Sequence, residues 1–393
     1  MRLLRLFLVA VAVLTAVVQT GLVGPNRPAV ERDFGLTHTQ FGLGLAGVWV
    51  FTGVLTLLVS GRLRRLNPVA VVQGGMAVQV AGFAVVVLGA GGGVGWLALG
   101  WGLVLLGAGV RYVTNNISMD LRPANPRRGV LLLHSYNAGG KALGPLVVAA
   151  VFALGWTWRT SFLVVGAATL ALLLVFLPAI PAARRFYANH PRRPRPDGQG
   201  FERGLLRDRR FWMFAAGIGL IAGGEAAFAT LLPTFLVKVR GLSEATAATL
   251  FTVHLLGLMT GRFLAAGLGK RVPSNAIIAV CLTAGVFVAP ALLLDVPAVR
   301  VVSLFLMGFQ FSAVWPVFYT QAALHLPGHR DMLAYGANLG SAILMSGCVF
   351  VSSAIADANL TAAMFFGPCV LWGFGAMYAA SRLSRPPEGQ PAS

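Results

Sequence analysis

The sequence predicts an all-α polytopic membrane protein with twelve transmembrane helices in two pseudo-symmetric bundles of six. Three observations predict this fold class. The chain of 393 residues is 57% hydrophobic and only 11% charged, whereas about a quarter of the residues of a soluble domain are charged. Its apolar runs are long enough to cross about 30 Å of hydrocarbon. A basic segment that contains several prolines divides these runs into two sets of six.

The first predicted span follows the N-terminal MRLLR and continues to about Gly24. It lacks a good signal-peptidase site, so we interpret it as a helix of the mature protein. Further spans are predicted at residues 42–60, 69–91, 94–117, 129–154, 160–180, 211–237, 246–268, 275–294, 299–321, 332–356 and 360–381. The predicted domains are an N-terminal bundle at 1–180, a linker at 181–210, a C-terminal bundle at 211–381 and a tail at 382–393.

Basic residues concentrate on one side of the predicted membrane. The net charge is +19, and most of it lies in the linker and in alternate loops, which the positive-inside rule assigns to the cytoplasm. Both termini are then cytoplasmic, and we expect the inner membrane of a bacterium. Since no basic face is interleaved with aromatic residues, a nucleic-acid partner is not expected. The three cysteines lie in apolar runs and predict neither a disulfide framework nor a metal site.

One stretch of the fifth span carries polar residues on a single face. His134, Asn137 and Lys141 lie at steps of three, four and seven residues. Lys141 is roughly 18 Å along the helix from Gly129, and a lysine at this depth is costly unless it borders a watery cavity. It could attract an anionic substrate, form a salt bridge with Glu225 that holds one state closed, or extend its amine towards the membrane surface.

Glu225 is the only acid predicted well inside a span, roughly 21 Å along the helix from Phe211. Burial and a nearby cation shift a carboxyl pKa in opposite directions, so Glu225 is a candidate for coupling to a proton. It could instead be a structural acid, bonded to backbone or paired with Lys141 or Arg111. His134 and His254 are further candidates for proton coupling, since histidine titrates near neutral pH. A histidine on an apolar helix is, however, more often a packing residue.

Other residues predict a wet interior. Arg111 shares a face with Asn115 and Ser118 and could contact substrate or organise an inner gate. Two polar stripes are predicted to face the interior: Thr15, Gln19 and Asn26 in the first span, and Gln310 and Gln321 in the tenth. Aromatic residues at i, i+4 and i+8 could stack on a substrate or pack the core: Phe311, Trp315 and Tyr319.

The two halves share a short repeat. Gly61-Arg62 closes the predicted second span and Gly261-Arg262 the eighth, each followed by further basic residues and a proline. Such repeated halves are typical of transporters with a midplane site. No spacing predicts a metal site, a phosphate loop or a nucleophile with its base. We therefore expect neither an enzyme nor a cofactor, and any active transport must use an ion gradient.

Three segments carry a resemblance to a known family. LLLHSYNAGGKALGPLV at 131–147, GGEAAFATLLPTFL at 223–236 and MGFQFSAVWPVFY at 307–319 resemble the fucose/proton-symporter-like branch of the major facilitator superfamily. The resemblance implies a monomer in the lipid bilayer, a small-molecule substrate, alternating access by rocking of the two bundles, and buried acids that couple transport to protons. Glu225 and Asn116 fall on the branch's acid and asparagine positions. Lys141 departs from the branch, which usually has a small or apolar residue there.

The resemblance also implies gating roles for Gly61, Arg62, Gly261, Arg262, Gly144 and Pro145. We therefore predict a secondary transporter that moves a small, polar, anionic solute together with a proton. The predicted substrate-binding residues are Lys141, Arg111, Asn116, Asn137, Gln19, Gln310, Trp315 and Tyr319. A drug-efflux antiporter is an alternative because Gly144-Pro145 also resembles a motif of proton-driven exporters. A neutral sugar symporter and a non-transporting scaffold or receptor are the others.

Overall fold

A computed structural model describes residues 1–63, 66–89, 93–110, 113–122, 126–189, 207–268, 271–325 and 330–381. All regular elements within these ranges are helices. We label the membrane helices α1 to α12 in chain order. This architecture confirms the predicted all-α polytopic fold.

The N-terminal bundle contains α1 to α6. The first helix has three parts, with a π-helical turn between two α-helical stretches. The bounds are Arg2–Ala16, Val17–Gly21 and Val23–Phe34 for α1, His38–Leu63 for α2, Pro68–Leu88 for α3, Gly93–Gly109 and Val113–Asp120 for α4, Pro126–Ala153 for α5 and Trp158–Val175 for α6. A short linker helix, Ala179–Asn189, follows and packs against α1 and α3.

The C-terminal bundle contains α7 to α12. Three of its helices change their winding along their length. The bounds are Arg209–Lys238 for α7, Glu244–Leu268 for α8, Ser274–Leu282, Thr283–Phe287 and Val288–Leu293 for α9, Pro297–Phe311 and Val314–His325 for α10, Arg330–Gly340, Ser341–Met345 and Ser346–Ala358 for α11, and Leu360–Ala380 for α12.

Within the described residues, ten stretches are long and apolar enough to cross a membrane. The two predicted spans outside this set are α1 and α5. A π turn divides α1, so its first α-helical stretch has only 15 residues. The other, α5, carries His134, Asn137 and Lys141, which lower its mean hydropathy. Both helices nevertheless pack among the others, since α5 lies along α1 and α8.

Helix α1 is longer than predicted. The span was expected to end near Gly24, but the helix continues to Phe34 and ends at Gly35. That glycine has φ 62°, a left-handed conformation that glycine adopts without steric cost. Arg27 and Arg32 were predicted to be loop residues and are helical instead. Pro25 lies in the first turn of the third stretch, where a missing N–H is tolerated, and Pro28 lies inside that stretch.

The π turn also changes which residues of α1 share a face. A π-helical turn inserts an extra residue into the helix, so the 100° rotation assumed from Thr15 to Asn26 does not hold. Asn26 is 1% exposed and donates to the Ser161 hydroxyl of α6 at 3.0 Å. The predicted polar stripe of α1 is therefore wrong for Asn26, which bonds within the N-terminal bundle.

The two bundles meet most extensively along α5 with α8 and α2 with α11, and α1 also packs against α7. Within the N-terminal bundle, α5 crosses α1 at two glycines. A Cβ atom on Gly144 would lie 2.7 Å from the Gly21 carbonyl carbon, closer than packed atoms approach. Small residues at such a crossing let helices pack in a membrane. The crossing fixes α5, and with it the face of Lys141, against the rest of its bundle.

Candidate functional site

A cavity of about 120 Å³ lies between the two bundles. Its wall is mostly apolar, with polar groups from both bundles. Its polar and aromatic residues are Trp49, Thr52, His134, Asn137 and Lys141 from the N-terminal bundle and Glu225, Thr230, Arg262, Trp315, Asn338 and Ser341 from the C-terminal bundle. Ser341 belongs to the π-helical turn of α11, and such turns are frequent at functional sites. We call this space the central cavity.

Lys141 and Glu225 form an ion pair across the bundle interface. The Lys141 ammonium donates to the Glu225 carboxylate, and the two side chains are only 11% and 9% exposed. Lys141 projects from α5 and Glu225 from α7. Of the described residues that line the cavity, only this pair and Arg262 are charged, so the wall carries one net positive charge when all three are ionised.

His134 and Trp315 form a second contact between the bundles. Their ring centroids are 4.5 Å apart, and the His134 Nε2 lies 3.2 Å from the Asn115 side-chain oxygen. Trp315 also stacks on Tyr319, with centroids 5.3 Å apart and planes inclined by 10°. Tyr319 itself is fully buried and is absent from the cavity wall. The tenth helix thus presents one aromatic ring to the cavity and supports it with another.

Arg262 is deeper than predicted. The span was predicted at 246–268 with Gly261-Arg262 in its closing part, and the helix ends at Leu268, six residues after Arg262. Arg262 is 2% exposed. Its Nε donates to the Ser312 carbonyl at 2.7 Å and its Nη1 to the His134 carbonyl at 3.1 Å. The guanidinium thus joins α8 and α10 to α5, whereas Arg62, its counterpart in the repeat, is exposed at the end of α2.

The other predicted site residues have different placements. Asn137 lines the cavity and donates to the Ala12 carbonyl at 3.2 Å. The prediction that Gln310 faces the cavity is wrong, because its side-chain oxygen accepts from the exposed Thr283 hydroxyl at 3.0 Å. Asn116 is buried but is not part of the cavity wall. Arg111 lies outside the described residues, as do the side chain of Gln19 and the environment of Gly61.

Sequence reasoning missed a second set of contacts between the bundles, at the end of the molecule away from the linker. We call it the far-end cluster, and it is centred on Glu31. The Glu31 carboxylate accepts from the Arg27 Nε at 2.7 Å, bonds to the His38 Nδ1 at 2.8 Å and accepts from the Lys238 ammonium at 3.2 Å. Arg27 and Glu31 are 0% and 3% exposed. Lys238 is the only one of these residues from the C-terminal bundle.

Two residues of α11 complete the far-end cluster. Asp357 accepts from the backbone N–H groups of His38 at 2.8 Å and of Thr39 at 2.9 Å, so it caps the first turn of α2 from the other bundle. Ser353 accepts from the Arg27 Nη2 at 3.3 Å. The spacing of Arg27 and Glu31, four residues apart, was the available signal, but it applies only once α1 is known to continue as a helix.

The far-end cluster pairs Glu31 with a cation from each bundle. The Arg27 guanidinium of α1 and the Lys238 ammonium of α7 both donate to the Glu31 carboxylate. The described residues therefore join the bundles on both sides of the central cavity, through Arg262 on the linker side and through Glu31 on the far side.

Two helical bundles that enclose a charged cavity at their interface are the architecture of membrane transport proteins. The profile of the Major Facilitator Superfamily matches residues 9–342. The chain belongs to this superfamily and is an integral membrane protein.

Solved structures share the whole fold. FucP in its outward conformation superposes with a TM-score of 0.66 at 18% identity, covering 96% of this chain and 98% of FucP. A bacterial homologue of the human lysosomal transporter Spinster, in an inward-facing and occupied conformation, gives 0.68 at 16% identity, covering 97% and 96%. The human organic anion transporter MFSD10 gives 0.63 at 15% identity, covering 96% and 99%. At these identities the likeness shows the fold alone.

Sequence relatives match over shorter lengths. The uncharacterized MFS-type transporter YdgK of Bacillus subtilis (strain 168) is 25% identical over 248 residues, 60% of this chain and 59% of YdgK. A proposed glucose/galactose transporter of Helicobacter pylori (strain J99) is 28% identical over 136 residues, 34% of this chain and 33% of that protein. The chain thus spans about three fifths and one third of these two relatives.

Proposed function

We propose that this protein is a secondary transporter that moves a small organic anion, such as a monocarboxylate, together with a proton by alternating access. The ion pair of Lys141 and Glu225 in the central cavity carries the proposal. A buried ion pair contributes little net stability compared with apolar packing. Its position in the wall of a cavity between two moving bundles favours a role in binding and coupling instead.

The proposed coupling is a competition of two carboxylates for Lys141. When Glu225 is ionised it occupies Lys141, and an anionic solute is excluded. When Glu225 is protonated, the ammonium loses this ion pair and can bind the carboxylate of the solute. Proton and solute therefore bind together, and the loaded and empty sites carry the same charge. Neither form adds a charge that must be buried when the bundles rock.

The size and chemistry of the central cavity restrict which solutes can bind. A cavity of about 150 Å³ in another protein accommodates one benzene ring, and the central cavity is about 120 Å³. The solute is therefore small. Arg262 adds a second cation to the wall, while Trp49 and Trp315 provide apolar surfaces on opposite bundles. A compact monoanion with a short apolar part fits this wall.

We propose the orientation of the protein in the membrane from the position of its basic residues. The described part of the linker end contains Arg62, Arg184 and Arg185, all exposed, and the positive-inside rule favours the cytoplasm for this end. The far-end cluster then faces the outside, and both termini are cytoplasmic. We propose a monomer in the inner membrane of a bacterium, where a proton gradient is available.

Proteoliposomes with an imposed pH gradient test this proposal. Labelled monocarboxylates, neutral hexoses and cationic drugs are supplied separately, and accumulation is measured with and without the gradient. We expect monocarboxylates to accumulate when the outside is acidic. Accumulation of hexoses alone would favour a neutral sugar symporter, which the match to the proposed glucose/galactose transporter supports as the second candidate.

A further inference from the structure

Glu225 borders a second cavity, on the side facing the interior of the C-terminal bundle. This rear cavity is about 20 Å³. Its wall comes entirely from the C-terminal bundle and includes Glu225, Phe228, His254, Ala284, Met307 and Pro368. Among the described residues that line it, Glu225 and His254 alone are ionisable. Glu225 therefore lines both the central cavity, with Lys141, and the rear cavity, with His254.

The packing around His254 fixes its ring. The side chain is 2% exposed, and the ring stacks on Phe251 with centroids 6.3 Å apart and contacts Phe228 at 5.5 Å. Its Nδ1 donates to the Leu304 carbonyl at 3.3 Å. In a neutral imidazole, a proton on Nδ1 leaves Nε2 as a hydrogen-bond acceptor. His254 can therefore accept a hydrogen bond without becoming charged.

The volume of the rear cavity suits one water molecule. A cavity needs roughly 10–15 Å³ to hold a water, and that water needs at least two polar partners. Glu225 and His254 supply both. A protonated carboxyl has one O–H group, and a buried O–H needs an acceptor. Lys141 cannot provide one, because an ammonium only donates.

We propose that the rear cavity is the site that holds the coupling proton. The protonated Glu225 donates its O–H to a water in this cavity, and the water donates to the Nε2 of His254. Loss of the proton returns the carboxylate to Lys141. His254 is then a positioning residue that stabilises the neutral acid, and the bound proton lies on the side of Glu225 away from the solute. This inference rests on the proposed coupling role of Glu225.

The charged and titratable groups around Glu225 come from two helices. Lys141 and His134 approach from α5 and line the central cavity with it. Arg262 and His254 belong to α8, and Arg262 is the second cation that lines the central cavity with Glu225. Among these groups, only neutral His254 provides an acceptor for the protonated form in the rear cavity. Removing His254 should therefore weaken proton binding by Glu225 without removing Lys141, the cation that binds the solute.

His254→Phe tests this assignment, since phenylalanine keeps the stacking on Phe228 and Phe251 but removes the acceptor. We expect half-maximal uptake of a labelled monocarboxylate to require about a tenfold higher proton concentration, which is one pH unit. His254→Gln, which retains an acceptor, should restore part of the shift. The matched control is His325→Phe at the linker end. The His325 ring also bonds a backbone carbonyl, that of Gln321 at 2.9 Å. This control variant should leave the pH profile unchanged.

A second variant fills the rear cavity without altering Glu225 or His254. Ala284→Val adds two methyl groups at a residue that is 1% exposed, and we expect the same shift of the pH profile. Ala291→Val, further along α9 at a position that is 0% exposed, is the control for tight packing in this helix. The profile of this control should match that of the unmodified protein if the protein folds.

An infrared measurement tests the rear-cavity assignment independently of the proposed solute. The C=O stretch of the protonated Glu225 carboxyl, assigned by its loss in Glu225→Gln, is recorded without any solute. We expect the band to shift in His254→Phe and in Ala284→Val. An unchanged band together with an unchanged pH profile in both variants would overturn the rear-cavity assignment. Failure to transport any anion, with the band shifted as expected, would reject the proposed solute and leave the rear cavity supported.

Discussion

Lys141 of the N-terminal bundle and Glu225 of the C-terminal bundle form an ion pair in the wall of the cavity that separates the two bundles. The pair links the helices that must separate when the cavity opens. Removing one partner of a buried pair typically costs 3–5 kcal/mol, because the other charge is left without compensation. Each opening of the cavity must therefore supply a new partner to both groups, and a solute anion and a proton are suitable partners.

Glu225→Gln should abolish uphill accumulation and retain exchange. The glutamine cannot release a proton, so Lys141 stays available to the anion, while the gradient no longer drives its movement. Counterflow of a labelled monocarboxylate measures exchange, and uptake under a pH gradient measures coupling. Glu244→Gln is the control, since Glu244 pairs with the exposed Arg32 at the far end. Unaltered accumulation in Glu225→Gln would remove this residue from coupling.

Lys141→Gln should abolish anion transport and destabilise the protein, whereas Lys141→Gln with Glu225→Gln should recover most of the stability. The single variant leaves a buried carboxylate without its cation, and the double variant leaves no charge of the pair. We expect the difference between the two to be about 3 kcal/mol or more. Thermal unfolding in detergent measures it. Normal anion transport by Lys141→Gln would show that the lysine does not bind the solute.

Uptake should respond to a pH gradient and be insensitive to membrane voltage. One anion and one proton move together in the proposed cycle, so no net charge crosses the membrane. Proteoliposomes with a potassium diffusion potential test this point at equal pH on both sides. A voltage of 100 mV would act on each transported charge with about 2.3 kcal/mol, which would be clear in the uptake rate. Strong stimulation by voltage would contradict the proposed one-to-one competition.

Glu31→Gln should loosen the closure at the far end. The variant removes the charge that attracts Lys238 across the interface. With the native cysteines replaced, Ala229→Cys in the central cavity reports opening through its reaction with a membrane-impermeant thiol reagent. We expect Ala229→Cys to be labelled several-fold faster in the Glu31→Gln variant than in the protein that retains Glu31. Asp33→Asn is the matched control, because Asp33 bonds to Trp158 at 2.8 Å within its own bundle; equal labelling in both variants would refute this role of Glu31.

Gly144→Ala should destabilise the N-terminal bundle. The added Cβ would lie 2.7 Å from the Gly21 carbonyl carbon, and backbone cannot move aside as a side chain can. Overpacking of this kind typically costs 1–3 kcal/mol. Gly139→Ala is the control in the same helix, since its Cβ would meet the flexible Met259 side chain at 3.2 Å. Thermal unfolding compares the two, and equal stability would contradict the proposed crossing of α1 and α5.

Much of the fold could be predicted because hydropathy is a local property. Most predicted spans agree with the structure within a few residues, as 246–268 does with Glu244–Leu268. The main error was α1, where Pro25 and Arg27 were interpreted as the end of a span. That interpretation failed because Arg27 pairs with Glu31 one turn further along the same helix, and Ser353 and Lys238 of the other bundle bond to this pair. The contacts with the other bundle are distant in sequence and leave no signal in the segment itself.

The sequence placed some residues of the candidate site correctly and others wrongly, again because it does not encode contacts between distant helices. His134, Asn137 and Lys141 share one face of an uninterrupted helix, and all three line the central cavity. Gln310 lies in a helix whose rotation is set by packing against α9, and the sequence assigned it to the wrong side. The rear cavity beside His254 has no sequence signal, since its wall comes from several helices of one bundle.

The sequence by itself determined that this protein spans a membrane, that its helices fall into two sets, and that a lysine and a glutamate lie deep within spans. These properties depend on composition along short segments, where the cost of placing charge in hydrocarbon is decided residue by residue. Only the tertiary structure decided that Lys141 and Glu225 meet, that Arg262 joins the bundles on the linker side, and that Glu31 does so at the far end. These contacts join residues that are 84, 128 and 207 positions apart in the sequence. They depend on the rotation and crossing of the helices, which side-chain packing sets and no single segment encodes.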